Sequence, residues 1–270
     1  MLWLFIVTGL AFAQEDPVFE GTEQVEEPAA EEAEGLLAAE FGGNVTTGNS
    51  AYYTFTSTLN GSYRWDKSKL GLVGGMLVGK GIVDGDGSGA LEQAERDVGY
   101  VENARRYYAD ARYDYFVGEK DSLYFLAGAF IDPFAGYDLR SHEQIGYSRT
   151  FVDGEDTTFV GEIGMDYAQE NYVDSPDVDP GYRDVIAARV MLGVTHNFSE
   201  SVGLSETIEV YENVLDPVDV RVLNSFALSA AMSEKLALKL SHNLIFDNQP
   251  VEGFKPLDQT TLVTLVATIL

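Results

Sequence analysis

The sequence contains no cysteine and few basic residues, and each shortage excludes a class of function. Without cysteine the chain has no disulfide framework, no thiolate metal site and no cysteine nucleophile. The 17 lysines and arginines face 44 aspartates and glutamates, and the net charge of -27 argues against nucleic acid as a partner, since phosphates need basic contacts. Beyond the first 13 residues, no stretch approaches the roughly 18 continuous apolar residues that a membrane-spanning helix needs. A helical membrane protein is therefore also excluded.

Histidine is scarce as well, and this shortage bears on catalysis. Only His142, His196 and His242 are present, whereas outer-membrane hydrolases need a histidine beside a serine or an aspartate. His142 and Ser148 share strand parity, but their spacing along an extended strand separates them by roughly 20 Å. We therefore predict that the protein is not an enzyme. A surface hydrolase that depends on His142 is the least favoured alternative.

The first 35 residues differ in composition from the rest of the chain. Residues 1–13 form an apolar run that ends in Ala11-Phe12-Ala13, which is typical of a cleaved signal peptide, although no basic residue precedes the run. Residues 14–35 contain nine acidic residues and no basic one, a composition that predicts a disordered segment. The sequence thus predicts secretion, followed by an acidic periplasmic segment.

Residues 36–270 consist of about twelve short segments joined by turns that alternate between tight and long. The tight turns are residues 66–68, 118–121, 153–156, 199–201 and 233–234. The long connections are residues 83–103, 132–138, 170–183, 212–219 and 247–258. Short periplasmic turns that alternate with longer outer loops are typical of a barrel in an outer membrane.

The segments themselves alternate with the period of two that a β-strand requires. In residues 52–65, one face carries Tyr53, Phe55, Leu59, Tyr63 and Trp65, and the other is mostly hydroxyl and amide side chains. Residues 106–117 and 158–168 follow the same pattern, with aromatic residues near strand ends and charges of both signs on the opposite face.

This pattern fits strands that cross a bilayer around a wet lumen. We predict an all-β, transmembrane, antiparallel up-and-down β-barrel of about twelve strands, surrounded by lipid in the outer membrane of a Gram-negative-type cell. Two features fit this pattern poorly. Glu206 shares a face with apolar residues of its segment, and residues 139–151 alternate weakly.

The charged face supplies the candidate lumen residues. They are Arg64, Arg106, Asp110, Arg112, Asp114, Glu162, Asp166 and Arg189. If opposite charges pair across the lumen, they form a structural plug; if they stay unpaired, they line a narrow passage for small hydrophilic solutes or ions. A twelve-stranded barrel is intermediate between filled and open barrels, so both readings stay open. The oligomeric state is open as well.

One outer connection matches the template of a calcium-binding loop. Its ligand positions are Asp84, Asp86, Ser88, Ala90, Glu92 and Glu95, with Gly89 at the sharp turn. Calcium prefers six to eight oxygen ligands, which closely spaced carboxylates supply. An acidic, glycine-rich loop that matches by accident is the alternative. Acidic outer loops also leave open a role in surface adhesion or binding.

The last segment, residues 260–270, has one continuously apolar face and ends in Leu270. Barrel-assembly machinery, which we expect as a partner, usually recognises a terminal phenylalanine, so this terminus departs from the pattern.

Several stretches resemble the YdiY-like, salt-induced outer-membrane protein family. They are Gly43-Asn44-Val45-Thr46-Thr47-Gly48, the segment from Tyr107 to Tyr115, and the segment from Asp132 to Arg140. The family is catalogued as a domain of unknown function, and its members are taken to be outer-membrane barrels. The resemblance therefore implies a fold and a location and supplies no catalytic residues. With it, we expect an envelope-structural protein or a narrow passive channel.

Overall fold

The computed structural model describes residues 34–47, 51–85, 91–173 and 181–269. The predicted signal peptide and nearly all of the acidic segment lie outside the described residues. The strands are β1 (Glu34–Thr46), β2 (Tyr52–Trp65), β3 (Ser68–Gly81), β4 (Val101–Phe116), β5 (Asp121–Asp132), β6 (Tyr137–Asp153), β7 (Thr157–Tyr172), β8 (Tyr182–Ser199), β9 (Val202–Asn213), β10 (Val220–Ser233), β11 (Leu236–Asp247) and β12 (Leu257–Thr268). A short helix, α1 (Gln93–Val98), lies between β3 and β4.

The strands form one closed sheet in which each pairs antiparallel with its sequence neighbours. The barrel closes where β1 pairs with β12, through partners such as Ala39 and Ala267. Closure removes the unpaired strand edges that an open sheet exposes, and a bilayer does not tolerate such edges. The predicted up-and-down barrel with about twelve strands is confirmed.

The connections at the two ends of the barrel differ in length. At one end, called here the turn end, the connections are residues 66–67, 117–120, 154–156, 200–201 and 234–235. The opposite end, called here the loop end, has the longest connection, residues 82–100, which includes α1.

One connection at the loop end is shorter than its sequence suggested. The predicted long connection 132–138 is reduced to 133–136, because the β5–β6 pairing continues to Asp132 and Tyr137. Gly136, with φ of 94°, adopts the left-handed conformation that closes this turn.

The alternation read from the sequence separates the two faces of the wall. Tyr53, Leu59 and Tyr63 of β2 are exposed outward, whereas Thr56 of the same strand faces inward. Aromatic rings cluster near both ends of the wall: Tyr63 stacks on Trp65 with centroids 5.7 Å apart, and Tyr53 lies 5.6 Å from Tyr100. These clusters match the aromatic girdles of membrane barrels.

Both irregularities noted in the sequence have a structural cause. Glu206 lies on the outward face between Leu204 and Ile208, and its carboxylate accepts a hydrogen bond of 3.3 Å from the amide of Asn224. Strand β6 contains register shifts near each end, between Tyr137 and Leu139 and between Thr150 and Val152. In the part of the chain that the structure describes, no helix is long and apolar enough to cross a membrane.

Candidate functional site in the barrel lumen

Inward-facing side chains divide the lumen into two unlike sides. The first, called here the charged side, is formed by the charged and tyrosine side chains of β4–β9, with Arg221 of β10 and Asp247 of β11. The second, called here the cavity side, is formed by the inward residues of β1–β3 and the rest of β10–β12, many of them hydroxylated, and near the loop end it also includes Arg106, Tyr108 and Asp132 of β4 and β5. The two sides offer different chemistry.

Near the turn end, one carboxylate links two arginines of the charged side. Glu162 of β7 accepts hydrogen bonds of 2.7 Å from Arg112 and 2.7 Å from Arg189, which approach its two oxygens separately. Arg112 also donates to Asp114, at 2.8 Å, and Arg189 donates to Glu209, at 2.6 Å. All five side chains are buried, and the network ties β4 to β7, β8 and β9.

Glycine on neighbouring strands makes room for the longer side chains of this network. Tyr124 of β5 lies flat across β6 and β7, where its hydroxyl accepts a hydrogen bond of 2.8 Å from Arg189. A Cβ at Gly146 or at Gly164 would lie 2.5 Å from that hydroxyl oxygen. Glycine at both positions is therefore what lets Tyr124 reach across two strands.

In the middle of the barrel, a histidine and an aspartate meet. The Nε2 atom of His142 lies 3.1 Å from Oδ1 of Asp110, and both side chains are buried. Asp110 reaches His142 by lying over Gly128 of the intervening strand β5. The hydrolase alternative depends on His142, and the structure places this residue against Asp110. Ser148 lies further along the same inward face of β6.

Near the loop end, a second bridging carboxylate joins distant strands. Glu170 of β7 accepts hydrogen bonds from Arg140, at 3.1 Å, and from Arg221, at 2.5 Å. Arg221 in turn lies 3.0 Å from Asp247, and Tyr172 donates to Glu170 at 2.7 Å. These bonds link β6 and β7 to β10 and β11, which are not their neighbours in the sheet.

The structure places the eight predicted lumen residues on the inward face. Seven are buried: Arg106, Asp110, Arg112, Asp114, Glu162, Asp166 and Arg189. Arg64 is half-buried, and its guanidinium carbon lies 4.3 Å from the ring centre of Phe116. Arg112, Asp114, Glu162 and Arg189 come together in one network.

The sequence reading missed several members of these networks. They are Tyr124, Arg140, His142, Glu170, Glu209, Arg221 and Asp247. The period-two parity of β6 and β7 was the available signal for Arg140, His142 and Glu170. It was obscured because the outward positions of β6 also carry polar residues, among them Ser141 and Glu143.

The cavity side encloses a cavity of about 290 Å³. Its lining extends from Ser62 and Ala237, close to the turn end, to Ala104 and Phe134 at the loop end. An ion pair of 3.1 Å between Lys239 of β11 and Glu40 of β1 spans the intervening strand β12 beside it. The lining also contains hydroxyl and amide side chains, which can hydrogen-bond to water, and aliphatic residues such as Leu223 and Ile245.

The candidate calcium ligands are only partly described. Asp86, Ser88 and Ala90 lie outside the described residues. Glu95 uses both carboxylate oxygens in the described part of the loop: one accepts from the Gly85 N–H at 2.5 Å, and the other from the Glu92 N–H at 2.9 Å. These bonds bring the two ends of the loop together and cap α1.

A closed antiparallel barrel with an apolar exterior and a charged, partly open lumen belongs to the porin-like class of β-barrels. The chain itself belongs to the family described as "Protein of unknown function, DUF481", whose model matches residues 39–269. The narrower YdiY-like assignment stays a prediction. A search of curated proteins finds no match.

Solved structures resemble the fold. The NanC porin aligns with a TM-score of 0.50 at 11% identity, covering 87% of this chain and 100% of the porin. The KdgM porin, in complex with disordered oligogalacturonate, gives 0.44 at 8% identity over 87% of this chain and 99% of its own. The translocator domain of the autotransporter NalP from Neisseria meningitidis gives 0.44 at 13% identity, with 87% coverage of both chains. At such identities the likeness concerns the fold alone.

Proposed function

We propose that this protein is a narrow passive channel for small hydrophilic solutes or ions in an outer membrane. The cavity on one side of the lumen is the observation that carries the proposal. Its lining includes residues near the turn end and at the loop end, and a volume of about 290 Å³ spread over a hydrocarbon layer of roughly 30 Å corresponds to a thin passage.

The exterior of the wall supports the membrane part of the proposal. Outward positions on several strands carry large apolar residues at high exposure, such as Leu59, Leu72 and Ile163. Exposing so much apolar surface is unfavourable in water and favourable in lipid. A protein of this kind needs assembly machinery to enter the membrane. Outer-membrane lipid is its immediate environment.

The charged side explains why the passage is narrow. Its arginines and carboxylates are held in bonds of 2.5 to 3.1 Å around Glu162 and Glu170, so they fill space instead of lining it. Because desolvation offsets much of the attraction in a buried ion pair, these networks hold strands in place without necessarily adding net stability. A second function follows from the same observation: if the cavity does not conduct, the network makes the barrel a rigid structural element of the envelope.

Planar-bilayer recording of the refolded protein tests the proposal. We expect discrete conductance steps from the wild type and a several-fold smaller step from Ser241→Trp, because Ser241 faces the cavity from the middle of β11. Leu240→Trp is the matched control: the adjacent residue points outward, so its conductance is expected to equal that of the wild type. A silent wild type, or equal steps from both variants, contradicts a passage along the cavity side.

A further inference from the structure

Arg106 is a buried guanidinium whose hydrogen-bonding capacity is unused. It lies on β4 near the loop end, is 4% exposed and contributes to the lining of the cavity. Among the described residues, none accepts a hydrogen bond from any of its three guanidinium nitrogens. Buried donors without partners are costly, so a polar group that enters the cavity would be held there by hydrogen bonds from Arg106.

The nearest carboxylate does not fill this need. Oδ2 of Asp132 lies 3.7 Å from Nη1 of Arg106, beyond hydrogen-bond distance. The other oxygen of Asp132 accepts from the backbone N–H groups of Phe134 and Ala135, at 3.1 Å each. The loop backbone therefore holds Asp132 where it balances charge without occupying the donors of Arg106.

Aromatic rings fix the orientation of the guanidinium. Its central carbon lies 4.6 Å from the ring centre of Phe130 and 5.8 Å from that of Tyr108. Tyr108 is itself anchored, since its hydroxyl is 2.8 Å from the Thr58 hydroxyl and its ring end occupies the space over Gly75. A guanidinium held by rings loses little entropy when it binds a ligand.

The charged residues that line the cavity favour an anion. Four are basic and two are acidic, although the whole chain has a net charge of -27. Lys239 lies 3.1 Å from Glu40, and Arg105 lies 3.2 Å from Glu102, whereas the Asp132 carboxylate stays 3.7 Å from Arg106. Arg106 thus contributes a buried cation whose three nitrogens donate to none of the described residues.

We propose that Arg106 is a binding subsite for the carboxylate or phosphate group of small anionic solutes that enter the cavity. A planar guanidinium presents parallel N–H donors that match both groups. The inference rests on the proposed passage for its biological role, since it specifies which solutes that passage favours. Occupancy of the subsite itself is testable without conductance.

Ion selectivity is the first test. Under a potassium chloride gradient in planar bilayers, we expect a reversal potential that favours chloride, and at least a twofold fall of the chloride-to-potassium permeability ratio in Arg106→Gln. Arg149→Gln is the matched control, because it removes the same charge from an exposed arginine paired with Asp121 outside the lumen. An unchanged ratio in Arg106→Gln overturns the proposal.

Thermal unfolding in detergent is the second test and does not depend on conductance. Sodium acetate and sodium phosphate, each compared with sodium chloride at equal ionic strength, are expected to raise the melting temperature of the wild type, because a ligand stabilises the state it binds. Phosphate also stabilises folded proteins by exclusion from their surface, so the measure is the rise in the wild type minus the rise in Arg106→Gln. We expect this difference to be positive, and equal rises in the two proteins overturn the subsite. Comparing the two salts distinguishes carboxylate from phosphate recognition.

Arg106→Lys covers the case in which the glutamine variant does not fold. It keeps the charge but lacks the planar fork, so we expect chloride preference to persist while the rise in melting temperature falls by at least half. If Arg106→Lys matches the wild type in both measurements, the subsite is overturned. A silent bilayer with a salt effect that depends on Arg106 rejects the passage and leaves the subsite standing.

Discussion

The two sides of this lumen are built on the same sheet, yet one is filled and the other is open. On the charged side, long side chains such as Arg112, Arg189 and Tyr124 extend over neighbouring strands and meet at bridging carboxylates. On the cavity side, serine, threonine and glycine end before they reach the centre. The size of the side chains at inward positions, more than the number of strands, therefore decides where a barrel of this size is open.

The largest effect is expected from breaking the network on the charged side. Glu162→Gln removes the negative charge that two buried guanidinium groups share and replaces one acceptor oxygen with an NH2 donor, although Asp114 and Glu209 remain as partners. Removing one member of a buried ion pair costs about 3–5 kcal/mol, and we expect roughly 3 kcal/mol of unfolding free energy here. Urea unfolding in lipid vesicles, followed by tryptophan fluorescence, measures the change.

The same measurement of unfolding free energy for Glu40→Gln reports on an ion pair on the cavity side, for comparison with Glu162→Gln. Glu40 pairs with Lys239 beside a space that admits water, so we expect a loss below about 1 kcal/mol. Equal losses for Glu40→Gln and Glu162→Gln would mean that the two sides are equally dry, which contradicts the distinction between them.

The glycines under Tyr124 provide an intermediate effect. In Gly146→Ala the new methyl group would crowd the Ile163 carbonyl oxygen of β7 and lie 2.5 Å from the Tyr124 hydroxyl, so the strand backbone and the ring must both shift. We expect a loss of about 1–3 kcal/mol, as for other overpacked sites. Gly61→Ala is the control, since its methyl group would meet Leu37 at an ordinary 3.5 Å. If both variants unfold at the same urea concentration, the close approach does not constrain the fold.

A smaller and opposite effect is expected on the outer wall. Glu206 faces outward between apolar neighbours, where an acidic side chain is unfavourable in lipid. Replacing it in Glu206→Leu is expected to raise the unfolding free energy by about 1 kcal/mol, because the Asn224 amide keeps its bond of 3.2 Å to the Thr207 carbonyl. Destabilisation by Glu206→Leu would show that this face does not contact lipid.

Calcium binding by the loop after β3 stays a prediction and is expected to have the smallest structural effect. Titration calorimetry of the refolded protein with calcium is expected to give binding heat that Asp84→Ala/Glu95→Ala abolishes. Equal heats for the wild type and the double variant would reject the site. Glu95 also caps α1, so circular dichroism of the variant serves as the folding control.

Local patterns predicted the architecture, whereas the division of the lumen depends on contacts that no local pattern records. The alternation of apolar and polar residues and the lengths of the turns were enough to predict the barrel. Both depend on residues close together in the chain, as in β2 and its turn to β3. The pairing of Arg112 with Glu162, or of Arg221 with Glu170, joins positions about fifty residues apart. Such pairs depend on strand register and on glycines such as Gly146 and Gly164, which only the assembled barrel brings together.

Accessibility of single cysteines tests most directly whether one side is open and the other closed. The chain has no cysteine of its own, so Ser229→Cys on the cavity side and Ser148→Cys on the charged side each introduce one thiol, at similar distances from the turn end. In lipid vesicles, a small charged thiosulfonate reagent is expected to modify Ser229→Cys rapidly and Ser148→Cys at least tenfold more slowly. Equal rates at the two positions, or faster modification at Ser148→Cys, would contradict the account.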